Sequence, residues 1–262
     1  VKAAIMEDLG SVAWARAATV QQLEHWDWFE RKAAVESLGQ SPEAVAQHGA
    51  AIVQRLEDWA WNVRKAAVEA LGQSPEAVAQ HGAAIVQRLE DSDWDVRKAA
   101  VEALGQSPEA FAQHGAAIVQ RLEHSEWAVR TVAVRALGQS PEAVAQHGAA
   151  IVQRLEDSKW AGRKAALKAL GQSPEAVAQH GAAIVQRLED SDKDVRKAAL
   201  KALGQSPEAV AQHGAAIVQR LEDSDEDVRT AAVKALGQSP EAVAQHGAAI
   251  VQRLEHSEWA VR

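Results

Sequence analysis

Gly39-Gln40-Ser41-Pro42-Glu43-Ala44-Val45-Ala46-Gln47-His48-Gly49-Ala50-Ala51-Ile52-Val53-Gln54-Arg55-Leu56-Glu57 recurs every 33 residues, with further copies opening at Gly72, Gly105, Gly138, Gly171, Gly204 and Gly237. Six of the seven copies are identical, and the copy from Gly105 differs only by Phe111 in a Val slot. One supersecondary unit written repeatedly is the mark of a stacked array. Each unit of such an array touches only its neighbours, so chain length is not capped as it is for a single globular core.

A 33-residue period is shared with ankyrin repeats, so the helical pattern has to decide. The variable part of a unit, Ser92-Asp93-Trp94-Asp95-Val96-Arg97-Lys98-Ala99-Ala100-Val101-Glu102-Ala103-Leu104, places Val96, Ala100, Val101 and Leu104 on one arc at 100° per residue and Asp95, Lys98 and Glu102 on the other. This predicts an amphipathic helix capped by Ser92, with Asp95 three residues on, and closed by a left-handed Gly105. A second helix begins with Ser107 as cap and Pro108 at its first position, and runs apolar through Phe111, Ile118, Val119 and Leu122. His114-Gly115 in its middle leaves open one kinked helix or two short ones. Neither segment stands alone in water at this length. Stacking buries each Val, Ile or Leu for about 1.5–3 kcal/mol, and the many Ala residues allow close helix approach. No Thr-Pro-Leu-His element of the ankyrin kind occurs, so the fold class is all-α, an α-α superhelix of 33-residue two-helix repeats. Residues 25–262 form this array, and residues 1–24, with Trp14, Arg16 and Thr19 out of pattern, read as an N-terminal capping segment.

The run Asp95-Val96-Arg97 followed by Ala99-Ala100 and Ala103-Leu104-Gly105 resembles the second helix of HEAT-like repeats, and the near-identity of the units resembles artificial consensus α-solenoids of the αRep type. The resemblance implies a HEAT-like solenoid used as a non-enzymatic binding scaffold, with this helix on the concave face carrying the varied positions. Differences between units concentrate in that helix and the loop before it, which favours designed or recently amplified repeats, with a natural scaffold fragment as the alternative. Some HEAT-like proteins are DNA glycosylases that use Trp and Asp, which Trp94 beside Asp95 superficially fits, and others are bilin lyases. No phosphate loop, nucleophile elbow or His-Glu-x-x-His pair accompanies them.

Composition narrows the partners. A net charge of −8 opposes non-specific binding to nucleic acid or anionic membrane. No apolar run reaches the roughly 20 residues of a bilayer span, and the first residues lack the layout of a secretory signal. Without Cys there is no disulfide framework or thiolate metal site. The compartment stays open. The expected partner is a protein or a second copy, and no cofactor is called for.

Read as columns, the varied positions define a candidate surface. One column holds Trp28, Trp61, Trp94, Trp127, Trp160, Lys193, Glu226 and Trp259, flanked by Phe29, Asn62 and Asp95. Trp dominates binding hot spots, yet such rings also cover core edges. A second column, Glu36, Glu69, Glu102, Arg135, Lys168, Lys201 and Lys234, changes sign midway, as a solvated face or as a stripe suited to an antiparallel second copy. His48, His81, His114 and their equivalents recur one repeat apart, too far to share one zinc ion, so the ladder is read as structural. Arg31, Arg64, Arg97 and their equivalents predict ion pairs to acids of the neighbouring loop, such as Asp91 or Asp93. Gly162, where other units hold Val, predicts a weak fifth unit. The apolar side around Val243 and Ile250 is expected to be open to end-to-end stacking.

Overall fold

The computed structural model describes residues 19–255, with side chains to residue 252. Trp14, Arg16 and Trp259–Arg262 lie outside the described residues, as does most of the capping segment. Among the described residues every regular element is helical. The chain forms two compact units, Val1–Ile118 and Val119–Arg262.

The first unit contains α1 (Trp28–Gly39), α2 (Pro42–Gln54), α3 (Trp61–Gly72), α4 (Pro75–Gln87), α5 (Trp94–Leu104) and most of α6 (Pro108–Gln120). The second continues with α7 (Trp127–Leu137), α8 (Pro141–Gln153), α9 (Trp160–Leu170), α10 (Pro174–Gln186), α11 (Lys193–Leu203), α12 (Pro207–Gln219), α13 (Glu226–Leu236) and α14 (Pro240–Glu255). A single 3-10 turn such as Arg55–Glu57 closes each even-numbered helix before the next repeat, wherever a following repeat is described. Within each unit the odd-numbered helices pack on one another more extensively than the even-numbered ones do, and α2, α4, α8, α10 and α12 each pack on the odd-numbered helices before and after them.

The arc expected from the wheel is the buried one. Val96, Ala100 and Leu104 are fully buried, as are Val63, Ala67 and Leu71 one repeat earlier. The even-numbered helices contribute Val78, Ile85 and, from the 3-10 turn, Leu89, all without accessible surface. Ser caps and Pro starts are as read: the Ala110 N–H donates to Ser107 Oγ at 3.3 Å, and Pro108 opens α6. In contrast to the other even-numbered helices of the second unit, α14 exposes its apolar side, Val243 being 42% accessible where Val210 is fully buried.

Two local expectations are corrected. Asp93, not Ser92, caps α5: its carboxylate accepts from the N–H groups of Asp95 and Val96, and the helix starts one residue later than the Ser/Asp spacing suggested. Gly105 does not adopt a left-handed conformation; its φ is −64°, and no described residue has positive φ. Glycine at this slot serves approach instead, since a Cβ on Gly39 would lie 2.9 Å from Ala70 Cβ and 3.1 Å from Ala70 Cα. The mid-helix Gly likewise makes room: a Cβ on Gly49 would lie 2.8 Å from His81 Nε2, and one on Gly181 2.8 Å from His213 Nε2. The question of one helix or two is answered by continuous even-numbered helices, α8 being kinked at His147 (φ −112°, ψ 15°).

The fifth repeat carries two defects at one helix start. Lys159 stands at the N-cap of α9 without a side-chain cap, whereas Asp192 caps α11 through two N–H groups. Gly162 is buried, and Asp157 occupies part of the space its missing side chain leaves, its Cγ only 2.8 Å from where a Cβ would be. Asp157 then meets Arg130 through Nε alone, at 2.7 Å, whereas Asp190 beside Val195 holds Arg163 through both Nε and Nη2. Gly162→Val should return Asp157 to the two-bonded arrangement and stabilise the second unit by about 1–2 kcal/mol, from helix propensity and methyl burial together. Amide exchange at residues 158–166 should be faster than at 191–199 in the parent and equalise in the variant. A variant less stable than the parent would show that Asp157 cannot move aside.

Candidate interaction surface

The odd-numbered helices place their varied side chains by simple rotation. Counting from the Trp that opens each one, the fourth and eighth residues on turn by about 40° and 80°, so Trp61, Lys65 and Glu69 share one outward arc, as do Trp160, Lys164 and Lys168. In the first unit this arc carries Trp28 half-buried, Phe29 exposed, Trp61 44% and Trp94 43% accessible, with Asn62 half-buried and Asp95 exposed. In the second it carries Trp127 and Trp160 at 45% and 46%. Each of the rings of Trp61, Trp94, Trp127 and Trp160 is thus partly covered and partly open to solvent.

Cations lie over two of them. The Arg97 guanidinium lies 5.7 Å from the Trp94 ring centroid and Lys164 Nζ 5.2 Å from that of Trp160, contacts worth about 0.5–1 kcal/mol at exposed sites. Trp28 meets Phe29 edge to face at 6.0 Å.

The charged column is less symmetrical than its signs suggested. Glu36 and Glu69 are ion-paired with Lys32 and Lys65 at 2.8 and 3.0 Å, and Glu102 sits 3.6 Å from Lys98. The acidic half is therefore largely neutralised on its own helices. Arg135, Lys168 and Lys201 are exposed in the last turns of α7, α9 and α11, where the helix dipole favours a cation. Two grooves of similar size lie between neighbouring odd-numbered helices. One, of about 610 Å³, is flanked by Glu69 and Glu102, and the other, of about 620 Å³, by Lys168 and Lys201.

The expected Arg ladder is present behind this surface. Arg31 pairs with Asp58, Arg64 with Asp91, Arg130 with Asp157, Arg163 with Asp190 and Arg196 with Asp223, at 2.6–2.8 Å. Asp93 is not a rung, because it is the helix cap. The column of acids is interrupted by His124, and Arg97 instead donates to the Asp91 and Ser92 carbonyls. For each paired Asp, burial pushes the carboxyl up, but the guanidinium hydrogen bonds, a backbone N–H and the Arg charge outweigh it and hold the group below its ordinary value.

Sequence reasoning missed a second tie. The Arg inside the constant block reaches back one repeat: Arg55 Nη1 donates to the Leu23 carbonyl and Arg88 Nη1 to that of Leu56, both at 2.7 Å, with Glu24 and Glu57 pairing at 3.0 and 2.8 Å. Its recurrence between the fully apolar Ile-Val and Leu positions was the available signal. The His ladder packs against the Gly of the preceding repeat, and burial holds the His81 imidazole below its ordinary value. Among the described residues no three His, Asp or Glu side chains converge as a metal site, and no helix is long and apolar enough to cross a membrane.

The profile described as HEAT repeats matches residues 49–117, 82–147, 115–181, 148–215 and 181–262. No curated protein matches. Among solved structures, the crystal structure of an engineered protein is similar over 91% of this chain and 71% of that one, with 23% identity and a TM-score of 0.55. Kap95p bound to RanGDP is similar with 15% identity and a TM-score of 0.72, and the Kap95:Nup1 complex with 15% and 0.75. Each alignment covers 95% of this chain, which spans 39% and 38% of the respective Kap95 chains. At these identities the likeness is one of fold.

Proposed function

Because the chain belongs to the HEAT-repeat family, we propose that it is a non-enzymatic scaffold that binds a protein through the outward arc of its odd-numbered helices. The observation that carries this reading is the recurrence of Trp rings left 43–46% accessible at Trp61, Trp94, Trp127 and Trp160, in a slot where the same helix start is built with Lys193 and Glu226. Large rigid rings with a free face are the usual anchors of protein interfaces. Variation concentrates on that arc and the loop before it, while the buried arc changes less, as where Val132, Gly162, Leu167 and Leu200 replace Ala or Val of other units. The near-identity of the units is in keeping with a built or recently amplified array.

Self-association through oppositely charged halves is the weaker reading, because Glu36, Glu69 and Glu102 already have lysine neighbours. A catalytic reading based on Trp94 and Asp95 lacks an enclosed site, since both are exposed.

Affinity capture followed by mass spectrometry, comparing the parent with Trp61→Ala/Trp94→Ala/Trp127→Ala, tests the proposal. A protein held by the parent should be retained about tenfold less by the variant, as loss of hot-spot side chains requires, while helical circular dichroism is unchanged. Equal retention by both would remove the Trp face from the interface.

A further inference from the structure

We propose that the groove between α9 and α11 receives an extended acidic segment of a partner protein, with Lys168 and Lys201 as its charge contacts. The inference rests on the scaffold reading and gives its partner a chemistry.

Four lysines, Lys164, Lys168, Lys197 and Lys201, line this groove of about 620 Å³ against one carboxylate, Asp194. Lys164 is taken by Asp194, and Lys197 by Asp227 at 2.7 Å. Lys168 and Lys201 are exposed, and no acidic group among the described residues pairs with either. The helix dipole alone does not select lysine here, because the equivalent slots of α3 and α5 hold Glu69 and Glu102 in the same last turn. The fold accepts either sign, so the paired lysines set the local potential rather than the helix.

The rest of the lining favours a peptide. Leu167 and Ala202 are buried beneath the groove and give it a low-dielectric floor, which strengthens the field of the two ammonium groups. Gln172 and Gln205 each donate one amide N–H to the carbonyl of Lys168 or Lys201, at 3.3 Å. Their side-chain carbonyls remain as acceptors. Backbone N–H groups of an extended chain supply donors for those acceptors, and its Glu or Asp side chains reach the lysines. A phosphodiester backbone supplies acceptors only and also meets Asp194. The volume falls within the roughly 300–1,000 Å³ of sites that hold small ligands or short segments.

The chain contains its own control, since the groove of about 610 Å³ bounded by Glu69 and Glu102 has the same architecture with the opposite sign. Fluorescence anisotropy of a short fluorescein-labelled Glu/Ala peptide against the whole chain at low salt should show saturable binding, weakened by added salt. Lys168→Glu/Lys201→Glu should weaken it about tenfold or more. Glu69→Lys/Glu102→Lys should add a second site of similar affinity. All four positions are exposed, so circular dichroism should match the parent. No binding, binding indifferent to Lys168→Glu/Lys201→Glu, or no gain from Glu69→Lys/Glu102→Lys would overturn the proposal. Tighter binding of a labelled oligonucleotide of equal charge would overturn it in favour of nucleic acid. Because the probe is a defined peptide, these outcomes are separate from the Trp-dependent capture that tests the scaffold reading.

Discussion

Asp190→Ala should lower the stability of the second unit by about 3–5 kcal/mol, the cost of removing one partner of a buried ion pair. Asp190 accepts from Arg163 Nε at 2.7 Å, from Arg163 Nη2 at 2.8 Å and from its own loop through the Asp192 N–H at 3.0 Å. Its side chain is 5% accessible and that of Arg163 14%. Without the carboxylate the guanidinium keeps only its bonds to the Asp157 and Ser158 carbonyls, and a charge is left buried between two repeats. The more solvent-accessible pair of Asp194 with Lys164, 40% and 27% accessible, gives the comparison, since Asp194→Ala should cost about 1 kcal/mol. Urea unfolding of the three proteins measures both. Equal losses would reduce the ladder to a surface ion pair.

The same carboxyls set the acid response. Burial raises the Asp190 pKa, but hydrogen bonding to Arg163 and to the Asp192 N–H, with the Arg163 charge, lowers it further, so the native value lies below the ordinary 3.8. The unfolded chain then binds protons at a higher pH than the native one. The stabilisation is complete above the ordinary carboxyl value and is lost as pH falls through the depressed native value. Asp58, Asp91, Asp157 and Asp223 add in the same direction. Asp190→Ala should therefore flatten the acid limb of the stability curve as well as lower its plateau.

Gly138→Val is expected to cost about 1–3 kcal/mol through overpacking, toward the upper end. A Cβ on Gly138 would lie 3.0 Å from Ala169 Cβ and 3.1 Å from Ala169 Cα. The second of these is backbone and cannot rotate away, so α7 and α9 must separate and give up contacts along their length. Gly204 repeats the sequence context but not the crowding, its nearest heavy atoms being 3.4 Å away at Ala235 Cα and Leu200 O. Its φ of −63° suits any residue. Gly204→Ala should be neutral or stabilise by up to about 1 kcal/mol, because the unfolded chain loses freedom. Thermal denaturation of both variants decides whether approach or backbone conformation selects glycine at this slot. Equal destabilisation at the two sites would point to backbone conformation.

Much of the fold was legible because its signals are local. The period, the paired amphipathic segments, the buried set Val96, Ala100 and Leu104, and the Ser107-Pro108 start all depend on residues within a few positions of one another. The Arg31-type column and its pairing with an acid of the neighbouring loop were also readable, although the choice between Asp91 and Asp93 was not. The candidate surface was legible as positions but not as electrostatics. Glu69 reads as an acidic patch until Lys65, one turn away, is seen to reach it at 3.0 Å.

The sequence by itself determined that this chain is a stack of helix pairs, because a repeated amphipathic unit has only its neighbours in which to bury its apolar arc. The tertiary structure alone decided why glycine stands at Gly39, Gly49 and Gly138, that Arg55 and Arg88 reach back to carbonyls of the preceding repeat, and that Lys168 and Lys201 face a shared groove without acidic partners. Those facts are distances between atoms about 30 residues apart in sequence, set by how closely one helix layer lies on the next. Periodicity fixes which way a side chain points from its own helix axis, but not what stands there to meet it.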